Sequence, residues 1–383
     1  MANMGRHKVG FFVTPCGIFL SIWFFQMAYW YFRDYSVVEQ TALVVGVALI
    51  AFSIGCMLIA SMFASFARTV KIKQVLVVPA INNLRTLVLV AFGIYILLFY
   101  LLVWRTLDGQ SLAFFRDEVL SGQYDPGILF RIYSLYGVFV VFLIVFACVK
   151  EVQEKNRTPI LLLLMLVAAT LMAMSRTLML IGLTIFAVAH TVRWGIRLRT
   201  LILYIACVIS LFMFAFIALG RMTNEDTALN LLEVYLMGGI RGLSHFIQYN
   251  EPRYSALLSF PRFLYGVFCG QGGCEFPIAP PYYDFVETPV VQNIYTAFYL
   301  PLHDFGLLGV IFIFLFVGIF AQYSYTRALS GKAIWIYVYG FMAYAMIMSM
   351  FDDQFIRAMP VFLMGLFVFL FIEKFSQVFV SGR

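Results

Sequence analysis

The feature of this sequence that most restricts its fold is a set of ten apolar runs, each about 15 to 25 residues long. A helix of about 20 apolar residues crosses the hydrocarbon core of a bilayer. Apolar residues make up 63% of the 383 residues and charged residues 12%, whereas soluble domains are about half apolar and a quarter charged. We therefore predict an all-α integral membrane protein with about ten (10–12) transmembrane helices. The runs lie at 11–30, 40–64, 86–104, 132–149, 158–174, 177–192, 200–220, 305–322, 333–350 and 359–373.

The basic residues indicate how these runs are oriented. If alternate connections face the cytoplasm, the inner side holds both termini and residues 65–85, 150–157, 193–199 and 323–332. These segments contain 16 of the 26 Lys and Arg residues, including every lysine, but only three of the 19 acidic residues. Cytoplasmic loops carry such an excess of positive charge, so the net charge of +7 requires no nucleic-acid partner. The first run begins like a signal peptide, but its length and the lack of a small-residue cleavage site predict an uncleaved span.

A helical hairpin is predicted at residues 158–192, which are interrupted only by "SRT" at Ser175–Thr177. Both flanks, "KEVQEKNR" and "RWGIRLR", are basic, so both should be cytoplasmic and the number of crossings between them must be even. The outer tip would then carry Arg176, at or just below the membrane interface.

The longest outer connection divides the chain into three parts. We predict transmembrane helices 1–7 in residues 1–220, an outer loop with the catalytic region in 221–304, and helices 8–10 with a cytoplasmic tail in 305–383. Within the loop, "LLEVYLMGGIRGL" and "YSALLSFPRFLYGVF" are predicted interfacial helices, and "FPIAPPYY" is a predicted extended segment.

The loop ends in "NIYTAFYLPLHDFG", which places a histidine and an aspartate side by side at the predicted membrane edge. We expect Pro301 to interrupt the preceding segment, and Phe305 and Gly306 to begin the apolar span. His303 and Asp304 would then lie on the first exposed turn.

The outer connections contain ten arginines and no lysine. The guanidinium group binds phosphate bidentately and keeps its charge when it is partly buried, which predicts a phosphate or pyrophosphate site. The strongest candidates are Arg176 at the hairpin tip and Arg241 in "GGIRG", where the glycines permit close backbone approach. Weaker candidates in the large loop are Arg221, Arg253 and Arg262. We expect the remaining arginines to contact lipid headgroups.

Two histidines are candidates for proton transfer, because imidazole titrates near neutral pH. His245 lies four residues after Arg241 and shares its face on a helix, and His303 precedes Asp304. Neither a metal-ligand spacing nor a phosphate-binding glycine loop is present, so we expect no metal and no nucleotide cofactor.

Two further pairs of residues are of interest. Asp352 and Asp353, in "MFDDQF", are predicted to form a solvated helix cap. Cys269 and Cys274, in "CGQGGC", lie in the outer loop, where an oxidising compartment permits a disulfide. The sequence leaves open whether they are bridged.

In layout the whole chain resembles the Wzy-type O-antigen polymerases, the oligosaccharide repeat-unit polymerases. These also have about ten spans, inward termini and a large outer loop late in the chain. The sharpest local similarity is "NIYTAFYLPLHDFGLLG", which resembles the family's Asn-x-Tyr-Thr followed by Asp-Phe-Gly-x-x-Gly. The "GGIRGL" stretch is similar as well. The O-antigen ligases share a related fold and place a histidine ahead of the final spans, a pattern that His303 fits.

The resemblance implies a GT-C-like polymerase/ligase architecture in a bacterial inner membrane, with the active site facing the periplasm. It implies polymerisation of undecaprenyl-pyrophosphate-linked oligosaccharides without a metal or nucleotide sugar. Membrane lipids and a chain-length-regulating co-polymerase would be partners. The pyrophosphate would be bound by Arg176, Arg241, Arg221 and Arg262. His303 would accept the acceptor hydroxyl's proton, Asp304 would orient it or cap the helix, and Asn293 and Tyr295 would contact the sugar.

Three alternatives remain open. The first is an O-antigen ligase, which transfers polysaccharide to lipid A core by the same chemistry. The second is a transporter or flippase for lipid-linked sugars, but such proteins carry internal repeats and charges near the bilayer midplane, and the runs here are nearly free of charge. The third is a polyprenyl-phosphate-sugar transferase that uses Asp34 or Glu39 after the first span.

Overall fold

The computed structural model describes part of the chain and is almost entirely helical there. The described residues are 13–33, 38–66, 81–104, 127–155, 159–195, 228–249, 286–287, 291–292 and 294–381, with a few isolated positions between 202 and 211. Two strands of two residues each, β1 (Val286–Glu287) and β2 (Val291–Gln292), pair antiparallel.

Within these residues, every predicted run except 200–220, which lies mostly outside them, coincides with a helix. The helices are α1 (Pro15–Arg33), α2 (Glu39–Phe66), α3 (Ile81–Phe99, continued by a π-helical turn, Tyr100–Trp104), α4 (Gly127–Lys155), α5 (Ile160–Met172), α6 (Arg176–Trp194), α7 (Ala228–Tyr249), α8 (Tyr299–Ala328), α9 (Ala333–Met348), α10 (Gln354–Arg357) and α11 (Met359–Ser381).

Among the described residues, five helices are long and apolar enough to cross a membrane: Glu39–Phe63, Leu84–Trp104, Gly127–Gln153, Arg176–Trp194 and Tyr299–Ala328. Helices α5 and α9 are apolar but shorter. Large apolar side chains cover much of the outer surface, as contact with lipid requires; examples are Phe24, Ile50 and Leu97. The helical fold class is confirmed over the described residues, and the apolar helices are consistent with a multi-pass membrane protein.

Small residues allow close packing of α2 against α8. A Cβ atom on Gly55 would lie 2.2 Å from the Leu315 carbonyl oxygen, and one on Gly318 would lie 2.2 Å from that of Phe52. The Cys56 thiol donates to the Gly318 carbonyl oxygen at 3.5 Å. Lipid provides no hydrophobic force between helices, so small residues favour association by bringing the backbones together.

The predicted hairpin is present, because α5 and α6 are joined by a turn at 173–175. Met174 has a φ of 51° in this turn, and the Ser175 hydroxyl accepts a hydrogen bond from the Leu178 N–H at 3.3 Å, which caps α6. Arg176 is therefore the first residue of α6.

The start of α8 differs from the prediction. The helix begins at Tyr299 and includes Pro301 in its first turn, where a missing N–H costs nothing. The break comes at Gly306, whose φ of 64° and ψ of −156° are not helical; glycine reaches this region because it lacks a Cβ atom. Our expectation that Pro301 interrupts the segment was wrong, whereas the break at Gly306 agrees with the expectation that the apolar span begins there.

Candidate functional site

Three separate stretches meet at one end of the helices: α7, residues 294–304, and the turn at 349–353 between α9 and α10. The predicted helix "LLEVYLMGGIRGL" corresponds to the first part of α7. The other two predicted loop segments lie outside the described residues, as do Arg221, Arg253, Arg262, Cys269, Cys274 and Asn293.

The glycines of "GGIRG" hold α7 against the other two stretches. A Cβ atom on Gly239 would lie 2.1 Å from the Met350 carbonyl oxygen, and one on Gly242 would lie 2.3 Å from that of Ile294. These glycines are three residues apart and share a helix face, whereas Arg241 lies on a different face. Both therefore serve packing against the chain's own backbone, which differs from the predicted role of a phosphate cradle.

His303 and Asp304 form the polar centre of this region. The His303 Nδ1 atom lies 2.7 Å from the Asp304 Oδ1 atom, and the His303 side chain is only 2% exposed. Consecutive helical residues do not normally face each other, but this pair lies at the end of the short helical segment that Gly306 interrupts. The expectation that His303 lies on an exposed turn was wrong.

The contact with Asp304 has a chemical consequence for the imidazole. A carboxylate beside Nδ1 favours the tautomer that carries its proton on Nδ1, so Nε2 is then the proton acceptor. The ring packs against two aromatic side chains, with centroids 5.9 Å from Tyr299 and 6.0 Å from Phe246 of α7, and these two rings are themselves 5.0 Å apart. The pair thus has the arrangement of a general base and its orienting group.

The side chain of Tyr295 is too deeply buried to contact a sugar directly. It is 1% exposed, its ring is tilted against that of Tyr299 with centroids 4.4 Å apart, and its Cδ1 atom lies 3.2 Å from where a Cβ atom on Gly242 would be. In this conformation Tyr295 fixes the distance between α7 and the start of α8.

Residues 294–299 are held in place by contacts with the side chain of Trp23 and with Ser349. The Ala297 N–H donates to the Ser349 carbonyl oxygen at 2.8 Å, and the Trp23 indole donates to the Ser349 hydroxyl at 3.0 Å. Trp23 also packs against Phe298, with centroids 4.4 Å apart. The sequence alone did not identify these contacts, because their partners are far apart in the chain, by as many as 326 positions for Trp23 and Ser349.

The Asp352–Asp353 pair caps a helix but is not solvated. The Asp353 carboxylate accepts from the Phe355 and Ile356 N–H groups at 3.0 and 3.2 Å, so the predicted cap is present. Its side chain is buried. Burial, and then the charge of Asp352, raise the pKa of Asp353 to about 7. The expectation of a solvated pair was wrong.

Asp352 connects this turn to Arg357. A single nitrogen of Arg357, Nη1, donates to both Asp352 oxygens at 3.0 and 2.9 Å. The Gln354 amide donates to the same carboxylate at 2.9 Å, and the Asp353 N–H donates at 2.8 Å. Burial raises the pKa of Asp352, although its bonds to Arg357 act in the opposite direction.

The hairpin tip lies beside the cluster formed by Asp352, Asp353 and Gln354. The Tyr344 hydroxyl donates to the Gln354 amide oxygen at 3.0 Å, and the side chain of Thr177, the residue after Arg176, lies near that hydroxyl. Since Met350 contacts α7 at Gly239, the helices that carry Arg176 and Arg241 both contact residues 344–354.

Two further features lie within the described residues. They contain no group of three or more His, Cys, Asp or Glu side chains arranged to hold a metal ion. A cleft of about 320 Å³ lies elsewhere, where α3, α4 and the start of α5 meet. The buried Glu151 carboxylate in that cleft accepts a hydrogen bond from Arg85.

Comparison with known protein families, characterised proteins and solved structures found no match to this chain. An interpretation of the site therefore depends on its residues, their contacts and the motif resemblance.

Proposed function

We propose that this protein is a lipid-linked oligosaccharide repeat-unit polymerase of the Wzy type. It would transfer a glycan from undecaprenyl pyrophosphate to the non-reducing end of another lipid-linked repeat unit. In this proposal the chain has about ten spans and a GT-C-like architecture in a bacterial inner membrane, with its site facing the periplasm. No metal or nucleotide sugar is required, and a chain-length-regulating co-polymerase is the expected protein partner.

One observation supports the proposal most. Three stretches that the sequence singled out, the "SRT" tip, "GGIRGLSHF" and "YTAFYLPLHDFG", lie near residues 344–354 or contact one another. A glycosyl transfer from a lipid pyrophosphate needs cationic groups and a base in one region, and these stretches carry Arg176, Arg241 and His303.

The proposed reaction uses each group in turn. The Nε2 atom of His303 accepts the proton of the acceptor hydroxyl, whose oxygen attacks the anomeric carbon of the donor glycan. The bond from that carbon to the pyrophosphate oxygen breaks, and undecaprenyl pyrophosphate leaves with the bonding electrons. Asp304 stabilises the imidazolium. Arg176 and Arg241, with Arg221 and Arg262, stabilise the charge on the leaving group. Asn293 contacts the sugar, and Tyr295 holds α7 in position.

The ligase reaction is the second candidate. The paired His303 and Asp304 side chains support the ligase reaction as well as they support polymerisation, because ligases share the histidine ahead of the final spans. The two reactions differ only in the acceptor, which for a ligase is lipid A core.

A deletion strain distinguishes these functions. Its surface polysaccharide is separated on a gel, with and without the gene supplied on a plasmid. We expect lipid A core capped by single repeat units, and restoration of the polymer ladder by the plasmid. Uncapped core with lipid-linked polymer retained would identify a ligase instead. Loss of lipid-linked units from the outer face would identify a flippase, and an unchanged ladder would contradict all three functions.

A further inference from the structure

The cleft of about 320 Å³ between α3, α4 and the start of α5 lies at one end of these helices. Arg85 lies one turn after the start of α3, and Glu151 lies one turn before the end of α4. Gln153 donates to the Gly331 carbonyl oxygen just beyond the end of α8, whereas His303 lies near the start of that helix. The cleft is therefore at the opposite end of the molecule from the candidate site, on the side where the basic connections predict the cytoplasm.

Two opposite charges form the polar wall of the cleft. The Arg85 Nε atom donates to the Glu151 Oε1 atom. The Glu151 side chain is 1% exposed, whereas that of Arg85 is 40% exposed. Within the described part of the chain, this is the only hydrogen bond of the Arg85 guanidinium. A guanidinium bound through Nε retains an edge of two Nη groups, which matches two oxygens of a phosphate. Arg85 is thus oriented by Glu151 and accessible to an anion.

Among the described residues, the rest of the lining is apolar, and part of it faces lipid. Leu89 lies one turn deeper in the membrane than Arg85, and its side chain is more than half exposed, as are those of Ile160 and Leu161. Met165 lines the cleft as well and is buried. Side chains exposed at this depth of a membrane protein contact hydrocarbon. A ligand that fits both walls therefore combines a phosphate group with a hydrocarbon chain.

The ion pair also determines which lipid headgroup fits. A purely basic pocket between membrane helices favours anionic headgroups. Here Glu151 balances the charge of Arg85 and repels a second negative charge. A headgroup with one phosphate and one ammonium group places each charge beside its opposite. The volume of the cleft is at the lower end of the range for small-molecule sites, about 300–1,000 Å³, which matches a headgroup better than a whole lipid.

We propose that the cleft binds a zwitterionic phospholipid of the cytoplasmic leaflet. The phosphate binds Arg85, the ammonium group lies towards Glu151, and an acyl chain lies along Leu89 and Leu161. The bound lipid contacts α3, α4 and α5 together, so it stabilises their packing by mass action. The site uses no residue of the His303 region and is independent of the proposed function.

Lipid binding is measured on the full-length protein, stripped of bound lipid in a maltoside detergent. Thermal stabilisation by dioctanoyl phosphatidylethanolamine gives an apparent Kd, and dioctanoyl phosphatidylglycerol is the anionic comparison. We expect the wild-type protein to bind the ethanolamine lipid about 3- to 10-fold more tightly, the range for one additional hydrogen-bonded contact. Glycerophosphoethanolamine, which has the same headgroup without acyl chains, should bind at least about 10-fold more weakly, because it buries no hydrocarbon.

The most specific variant is Glu151→Gln, which removes the negative charge but keeps an acceptor for Arg85. The site then carries a net positive charge, so its preference should reverse and favour phosphatidylglycerol by about 3- to 10-fold. The double variant Arg85→Gln/Glu151→Gln replaces the ion pair by two amides and leaves no buried charge unpaired, so that folding is preserved. It should weaken the binding of both lipids by about 10- to 100-fold, the range for a lost hydrogen bond to a charged group.

Arg327→Gln is the matched control. Arg327 lies at the same end of the molecule, near the end of α8, where its guanidinium packs over the rings of Phe63 and Tyr323. It does not line the cleft, so its replacement should leave both Kd values unchanged.

Several results would overturn the inference. These are no stabilisation of the wild type by either lipid, equal affinity for the two lipids, an unreversed preference in Glu151→Gln, or wild-type binding by the double variant. The ion pair would then only join α3 to α4. Binding of glycerophosphoethanolamine as tightly as the lipid would overturn the assignment of a lipid. An unchanged polymer ladder in the deletion strain would remove the proposed function and leave this lipid site standing.

Discussion

At the scale of residues, the His303–Asp304 pair is the arrangement most specific to chemistry. The carboxylate lies 2.7 Å from Nδ1, and the imidazole is buried against two aromatic rings that also contact each other. A purely structural histidine at this depth also needs a polar partner, and variants separate this structural role from proton transfer.

We expect His303→Gln to reduce polymerisation in membranes supplied with lipid-linked repeat units by about 10²- to 10⁴-fold, the usual cost of losing a general base. Asp304→Asn should also reduce it, because an amide can donate to Nδ1 and reverse the tautomer. Donor binding should be retained in both variants.

The matched control is His190→Gln, which changes a histidine packed against Trp194 near the other end of α6. It should polymerise at the wild-type rate. Equal rates for His303→Gln and the wild type would assign His303 a packing role and leave Asp304 as the candidate base.

At the scale of elements, the position of α7 depends on two glycines. The Met350 and Ile294 carbonyl oxygens occupy the space that a methyl group on Gly239 or Gly242 would need. A larger residue at either position must displace the helix that carries Arg241 and His245, because the obstructing atoms belong to the backbone and cannot rotate away.

Gly239→Ala should therefore lower the free energy of unfolding by about 1–3 kcal/mol, as overpacking of a filled interface does, and should reduce polymerisation with it. The measurement is the midpoint of thermal unfolding in detergent. Gly46→Ala is the matched control: Gly46 is also helical, but a Cβ there meets nothing within 4 Å. Alanine at Gly46 should be neutral or stabilise by about 0.5–1 kcal/mol. Equal stabilities of the two variants would mean that α7 is not packed in this way.

At the scale of the whole molecule, polar contacts gather at two opposite ends of the helices. Tyr133 of α4 donates to the Met172 carbonyl oxygen beside the hairpin tip, whereas Glu151 of the same helix bonds Arg85 and lies near the start of α5. The 13 residues of α5 separate these ends by about 20 Å at 1.5 Å per residue. Gly331, in the predicted cytoplasmic segment 323–332, lies at the Glu151 end, because its carbonyl oxygen accepts a hydrogen bond from the Gln153 amide.

Cysteine labelling tests this orientation. In a background from which the six native cysteines are removed, Thr177→Cys should react with a membrane-impermeant thiol reagent added to intact cells stripped of their outer membrane. Arg193→Cys, at the other end of α6, should react only after the inner membrane is permeabilised. Labelling of both positions from the same side would contradict the hairpin orientation and the outward-facing site.

The sequence was sufficient to predict features that depend on neighbouring residues, on the length of an apolar segment or on its periodicity. Apolar runs predicted most helices because a bilayer admits few other structures. The "SRT" interruption predicted the turn before α6, because a basic flank on each side required an even number of crossings. The cap at Asp353 could be predicted because it is a local interaction: its side chain accepts hydrogen bonds from N–H groups only two and three residues ahead.

Tertiary structure decided what depends on distant partners. The burial of His303, Tyr295 and Asp353 comes from packing against elements far away in sequence, which no window of residues contains. The role of Gly239 and Gly242 was likewise set by carbonyl groups of Met350 and Ile294. The spacing of the glycines suggested that they flank a phosphate. Only the fold shows that the backbone close to them belongs to the chain itself.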